Sequence, residues 1–456
     1  MPYLLNVTNQ FGFNGIEIAD KIGEKVRGKT SKSDKIEITL IQKQEVVNMK
    51  KTRICFWSIW GMILTLCLTL GVSPAWVSAQ EAKIRIGAAV SMTGRLAKEG
   101  SLVKKGYETW VEWINGRGGI RVAGKPHKVE MIYYDDKADA TTSAKLTEKL
   151  ITEDKVNLIL GPYSSGIVAA TSAIGEKYNY VTIAPLANGD FVYERGFKYL
   201  FSVSSMATRD LIPVAELAVQ QTPKPKTFAA VVLDHVFTLP SIEGVKKRSL
   251  ELGLQEVYYG KFPANTTDFS GMLTAIKPKE PDLLYFGGFF PDAVSFYRQA
   301  KELNVNAKLY STTGTAGHPD WLTVMKKDGD YVLAQQPWHK DMTYKDAFFS
   351  SRSYNEFWKQ KYGEEADYFG ACGFVSGILM QFAIEKAGSL DQNKIRDALR
   401  AMDTETFFGK FKFDEKGKNI GGRMGIIQVQ NGQQILVDPP RPGVKLLYPA
   451  PPWKER

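Results

Sequence analysis

Histidine and cysteine are scarce in this chain, with four of the first and three of the second in 456 residues. His127, His235, His318 and His339 stand far apart, and no two have the spacing of a metal-binding pair. Cys55 and Cys67 fall in an apolar run near the N-terminus. If that run is removed, Cys372 is alone and no internal disulfide can form. Its flanks, Gly370–Ala371–Cys372–Gly373–Phe374, suit close helix packing, so a buried core thiol is expected. There is no Gly-x-Ser-x-Gly elbow and no Gly-x-x-x-x-Gly-Lys-Ser/Thr loop, the usual marks of a serine hydrolase and a nucleotide-phosphate cradle. Concentrated positive charge is missing too. The formal charge is +10, but residues 80–456 hold 49 Lys/Arg against 43 Asp/Glu, mixed along the chain. A nucleic-acid binder would gather its basic residues into a stripe; a solvated surface is the plainer reading. No catalytic set, metal site, cofactor or nucleic-acid partner is expected.

One strong apolar segment is present. Lys50, Lys51 and Arg53 precede the run Ile54–Val72, Pro74 breaks it, and Val77–Ser78–Ala79 supplies small residues. Basic, apolar and small-residue regions in that order read as a secretory signal peptide over 49–79. The run of about 19 residues could also span a bilayer. Pro74 and the polar Gln80–Glu81 favour cleavage after Ala79, hence a periplasmic protein. Residues 1–48 are polar, with no sustained apolar period apart from Ile36–Ile41, and Met49 directly precedes the basic cluster. They read as a non-native extension.

Beyond Lys83, short apolar runs alternate with amphipathic stretches. Strands are expected at Lys83–Val90, Lys128–Tyr134, Val156–Leu160 and Tyr180–Ala184. Helices are expected around Leu102–Ile114, Asp139–Asp154 and Ser165–Tyr178. The rhythm restarts with strands at Thr227–Leu233, Glu256–Phe262, Asp282–Phe286 and Lys308–Ser311, separated by helices. Single helices between strands make parallel βαβ units, and strands apolar on both faces fit sheets covered on both sides. The fold class is α/β, with two Rossmann-like lobes. Tyr199–Ser205 is a natural crossover between them. Helices at Tyr344–Tyr362, Gly370–Ala387 and Asp391–Ala401 follow, then strands over Phe411–Pro440 with a turn at Asn431–Gly432. Gly161–Pro162–Tyr163–Ser164–Ser165–Gly166, between a strand and a helix, suits anion docking on backbone N–H groups, or a plain tight turn. Asp135–Asp136 reads as a solvated turn.

Several motifs in order resemble the periplasmic leucine/isoleucine/valine-binding proteins. They are Lys83 to Gly94 (KIRIGAAVSMTG), Ile114 to Ile120 (INGRGGI), Tyr134–Asp135–Asp136, Gly161 to Ser165 (GPYSS), Pro281 to Gly288 (PDLLYFGG) and Arg298 to Lys301 (RQAK). The resemblance runs from about Lys83 to about Val437. It implies a type I periplasmic binding protein, with two lobes joined by three hinge strands, a small ligand in the cleft, and docking to an ABC permease in the inner membrane. The lobes would comprise 80–203 with about 338–410, and 204–337 with about 411–456. A ligand-sensing receptor module of the same fold is the alternative.

By the same resemblance, Ser164 and Ser165 match the region that grips the ligand carboxylate, and Leu186, Ala187 and Asn188 a neighbouring contact segment. Asn188 stands where threonine is usual. Phe237, Thr238 and Phe289 match aromatic contacts of the second lobe, for which core packing is the plainer reading, and Tyr368 faces the cleft from a helix start. The acids that hold an amino acid's ammonium are replaced: Thr208 and Thr313 stand in their places. Either Asp210 or Glu99 supplies the missing charge, or the ligand is an amine-free carboxylate or an amide. N-terminal sequencing should find the precursor starting at Met49 and the exported protein at Gln80; residues 1–48 in the precursor, or an intact leader in the exported form, would contradict this.

Overall fold

The computed structural model describes residues 83–456, and the expected extension and signal peptide lie outside them. The chain opens with β1 (Ile84–Val90), α1 (Ala97–Gly116), the hairpin β2 (Ile120–Val122) and β3 (Lys125–His127), and β4 (Val129–Asp135). Then come α2 (Ala140–Thr152), β5 (Leu158–Leu160), α3 (Ser165–Lys177), β6 (Thr182–Ala184) and β7 (Leu200–Ser202). Strands β4, β1, β5, β6 and β7 form, in that order, one fully parallel sheet. Asp139 caps α2 by accepting from the Thr142 N–H.

Two short helices, α4 (Ala207–Asp210) and α5 (Ile212–Ala218), lead into the second unit. It comprises β8 (Thr227–Leu233), α6 (Thr238–Glu251), β9 (Gln255–Phe262), α7 (Ser270–Ile276), β10 (Leu283–Gly287), α8 (Phe290–Glu302), β11 (Leu309–Thr312), α9 (Trp321–Met325) and β12 (Val332–Gln336). The chain continues through α10 (Ser351–Tyr362), α11 (Tyr368–Ala387) and α12 (Gln392–Arg400). It then forms the hairpin β13 (Asp403–Thr406) and β14 (Gly409–Lys412), and the hairpin β15 (Gly425–Gln430) and β16 (Gln433–Asp438). The second sheet runs β16-β15-β12-β11-β10-β8-β9, parallel from β9 to β12 and antiparallel at β15 and β16. Asn431 and Gly432, at φ 50° and 71°, make the tight turn joining its last two strands.

Each sheet has its own core. Helices α10 to α12 and the β13–β14 hairpin pack with the first sheet, and Phe411 and Phe413 belong to that core. Phe413 packs edge-on against Phe201, their ring centroids 5.2 Å apart. The chain therefore rejoins the second sheet only at Gly425, later than the expected 411. Trp453 and Ala450 bury into the second core, anchoring the proline-rich tail.

Three expectations change. The helix foreseen from Tyr344 starts at Ser351, because the Asp346 carboxylate takes the Phe348 and Phe349 N–H groups and Ser350 caps the helix. Helices α4 and α5 were not anticipated. Asp136 is not a solvated turn residue: it is fully buried, and its carboxylate accepts from the Ser91 and Ser143 hydroxyls and the Ala138 N–H. Its partner Asp135 takes the Met92 and Thr93 N–H groups.

Helices α1 and α11 approach so closely that side chains would not fit between them. An added Cβ at Gly106 would lie 2.2 Å from the Gly370 carbonyl oxygen, and one at Gly373 2.3 Å from that of Val103. Cys372 is fully buried in this interface region. Gly373→Val should lower the unfolding free energy by about 1–3 kcal/mol through overpacking. Gly271→Ala, where nothing lies within 4 Å of the added carbon, should not lower it. Urea melts of the two variants check this.

Candidate ligand site

Parallel strands deliver their carboxyl ends to one edge of a sheet, where ligands of open α/β folds collect. Here the segments after β5 and β6 of the first sheet meet those after β8, β11 and β12 of the second. They enclose about 430 Å³ of empty space, counting its open mouth. Tyr163, Ser164, Ser165, Leu186 and Asn188 line it from the first sheet. Phe237, Thr313, Gly314 and Gln335 line it from the second, and Pro337, Tyr368 and Met424 complete the wall. Every one of these side chains is uncharged.

Seven residues singled out from the sequence thus meet in one cavity: Ser164, Ser165, Leu186, Asn188, Phe237, Thr313 and Tyr368. Ser164 is the N-cap residue of α3, yet its hydroxyl makes no capping bond to the helix. Ser165 follows it in the first turn, where backbone N–H groups lack helical partners and favour an anion. The Ser165 hydroxyl accepts from the Gly189 N–H (3.1 Å). Thr313 is engaged on both sides, accepting from the Gly288 N–H (3.0 Å) and donating to its carbonyl (2.9 Å).

The other six stand outside the lining. Ala187 is buried, its carbonyl accepting from the Tyr193 hydroxyl. Thr238 is buried and donates to the Leu233 carbonyl (2.6 Å). Thr208 is exposed and bonded to Asp190. Phe289 packs behind the cavity against Tyr163 and His235. Asp210 is wholly buried behind Asn188, whose amide donates to it, and Ser205 adds a hydroxyl (3.3 Å). Burial drives the Asp210 carboxyl well above the ordinary range, and Asp210 is not part of the cavity lining. Glu99 lines a separate outer hollow with Arg95, Lys98 and Phe290.

Sequence reasoning did not single out Tyr163, Gly314, Gln335, Pro337 or Met424. Tyr163 lies inside the Gly161–Gly166 loop, which carried a signal; an isolated Gln335 or Met424 carries none.

Charge is used around the cavity rather than in it. Arg95, after β1, reaches both oxygens of Asp292 in α8 (2.9 and 3.1 Å) and lies over the Phe289 ring (5.3 Å). Lys98 pairs with Asp320 and lies 5.5 Å from the Phe290 ring centroid. These contacts tie the first unit to the second. At Gly189 the two come so close that an added Cβ would sit 2.5 Å from the Val236 carbonyl oxygen.

Burial pushes the Glu99 carboxyl from 4.5 up to about 7, opposed by its backbone N–H and by Lys98 and Arg95. The folded protein keeps this proton over a range where the unfolded chain has lost it. Glu99 thus costs stability progressively as pH rises from 4.5 to 7, with no further change above. Each pH unit between those two values is worth roughly 1.4 kcal/mol. Glu99→Gln should therefore match the parent at about pH 4 and exceed it by about 3 kcal/mol at about pH 8. Denaturant melts at the two pH values measure the difference, and an equal effect at both would contradict the assignment.

The architecture and this strand-end cavity have known counterparts. A leucine-, isoleucine-, valine-, threonine- and alanine-binding protein of Pseudomonas aeruginosa is 26% identical over 334 residues, covering 73% of this chain and 86% of that one. Among solved structures, a leucine-binding protein of Thermotoga maritima superposes with TM-score 0.70 at 22% identity, covering 77% of this chain and 97% of the other. An ABC transporter solute-binding protein of R. palustris, in complex with 4-hydroxybenzoate, gives TM-score 0.68 at 22% identity, covering 78% and 95%. These two likenesses establish the type I fold of two α/β lobes. Residues 83–434 match the periplasmic binding protein family, and the chain belongs to that family.

Proposed function

We propose that this solute-binding protein captures a small carboxylate lacking an ammonium group and delivers it to an ABC permease in the inner membrane. The carrying observation is the uncharged lining of the cavity, with Ser164 and Ser165 at a helix N-terminus on one wall. Hydroxyl and N–H dipoles hold a carboxylate without an opposing full charge. An ammonium would find no carboxylate there, and leaving it unpaired would cost several kcal/mol, roughly. Asp210 does not supply the charge from the lining, because it is buried behind Asn188, whose amide donates to it. The apolar side chains of Leu186, Phe237, Pro337 and Met424 fit a hydrophobic or aromatic body. The 4-hydroxybenzoate held by the R. palustris protein is a ligand of this class.

The clamp would comprise a first lobe of 80–203 with 338 to about 420, and a second of 204–337 with about 425–456. Signal-peptide cleavage would place it in the periplasm. Thermal shifts of residues 80–456 test the ligand class. An amine-free carboxylate at 100 times its Kd should stabilise the protein by about 2.7 kcal/mol. Leucine, isoleucine and valine should give no shift. A shift with those amino acids alone would overturn the proposal.

A further inference from the structure

Gln335 lies one residue before the last position of β12, just past its parallel pairing with β11, and lines the cavity. It is 3% exposed, and its Oε1 has no hydrogen-bond partner. Its neighbours are committed. Gln336 donates its amide to the Gly317 carbonyl (3.2 Å), and the Thr313 hydroxyl is used twice on Gly288. On this wall, the Gln335 amide is uncommitted, with no partner at Oε1 and with Nε2 beside Gly314. An added Cβ at Gly314 would lie 3.8 Å from its amide nitrogen and 3.3 Å from the Tyr368 hydroxyl, so a second polar group stands close by.

Ser164 and Ser165 belong to the first sheet's edge and Gln335 to the second's. A ligand gripped by its carboxylate at the serines therefore extends toward Gln335. We infer that Gln335 is a specificity-determining residue, its side-chain amide hydrogen-bonding an uncharged polar group, such as a hydroxyl, at the ligand's end remote from its carboxylate. This rests on the carboxylate reading above and narrows it to hydroxylated acids. A buried polar group left unmatched penalises the bound state, so a site of this kind rejects the analogue that lacks the hydroxyl. A charged ammonium in the same place would lack a counter-charge among the lining residues.

Calorimetric titration of residues 80–456 with matched pairs tests this: benzoate against its 2-, 3- and 4-hydroxy derivatives, hexanoate against 6-hydroxyhexanoate, and isoleucine as the amine-bearing control. At least one hydroxylated acid should bind roughly tenfold or more tightly than its parent. Gln335→Met, with a thermal melt as the folding control, should bring that pair to within about twofold while the parent acid still binds. If both members of every pair bind equally to the unaltered protein, the role of Gln335 fails and the carboxylate reading stands. The role fails in the same way if folded Gln335→Met keeps the preference. If isoleucine binds and no amine-free acid does, or nothing binds, both readings fail. The unaltered protein alone decides the first comparison, so a poorly folding variant does not leave the inference open.

Discussion

A parallel strand and every strand paired in parallel with it send their carboxyl ends to the same edge of the sheet. In this protein that constraint operates twice, once in the five-stranded sheet and once through β9 to β12. The residues just beyond those ends are loop residues, freed from the ladder and able to carry polar groups inward. Serines after β5, the amide of Asn188 after β6, Phe237 after β8 and Thr313 after β11 therefore converge, although 149 residues separate Ser164 from Thr313 in sequence. The two cores behind the edges keep the walls rigid, and the tight seating of α11 on α1 is part of that support.

The distribution of charge follows a similar logic. Arg95–Asp292 and Lys98–Asp320 join the two units outside the cavity; exposure keeps the desolvation cost of the Lys98 pair small, whereas Asp292 is buried and its carboxyl is raised by desolvation. Arg95 also lies over Phe289, so one side chain couples the ion pair to the aromatic wall behind the cavity. The cavity lining carries no charge. The ionic contacts thus link the two units, while on the proposed function dipoles and shape are left to choose the ligand.

Most strands and helices were legible because their apolar periods are clean: β8 was foreseen at both its limits, and α11 to within two residues. Tyr344–Ser350 misled because Phe348 and Phe349 continue the apolar stripe of α10, while Asp346 turns the backbone away from helix. Asp136 misled because an acid after a strand is usually solvated, whereas here it is buried, with the Ser91 and Ser143 hydroxyls offsetting part of its desolvation cost. At the site, Ser164 and Ser165 were legible through the Gly161–Gly166 loop, and Leu186 and Asn188 through the family resemblance. Gln335 was not, because an uncommitted amide is defined by what its neighbours bond to, and those partners lie elsewhere in the chain.

A neutral cavity looks a poor host for an anion, since a buried charge without a partner is costly. The cost depends on how completely the departing water dipoles are replaced. A carboxylate accepts several hydrogen bonds, and hydroxyls with unpaired N–H groups at the start of α3 provide donors already oriented by the helix. An ammonium needs acceptors and a negative field, which a helix N-terminus opposes because its own field is positive. The same wall therefore favours one sign and disfavours the other without a formal charge. On the proposed function, Thr313 in place of the acid that the resemblance implies leaves an ammonium without a partner there, and Gln335 is left to read an uncharged group.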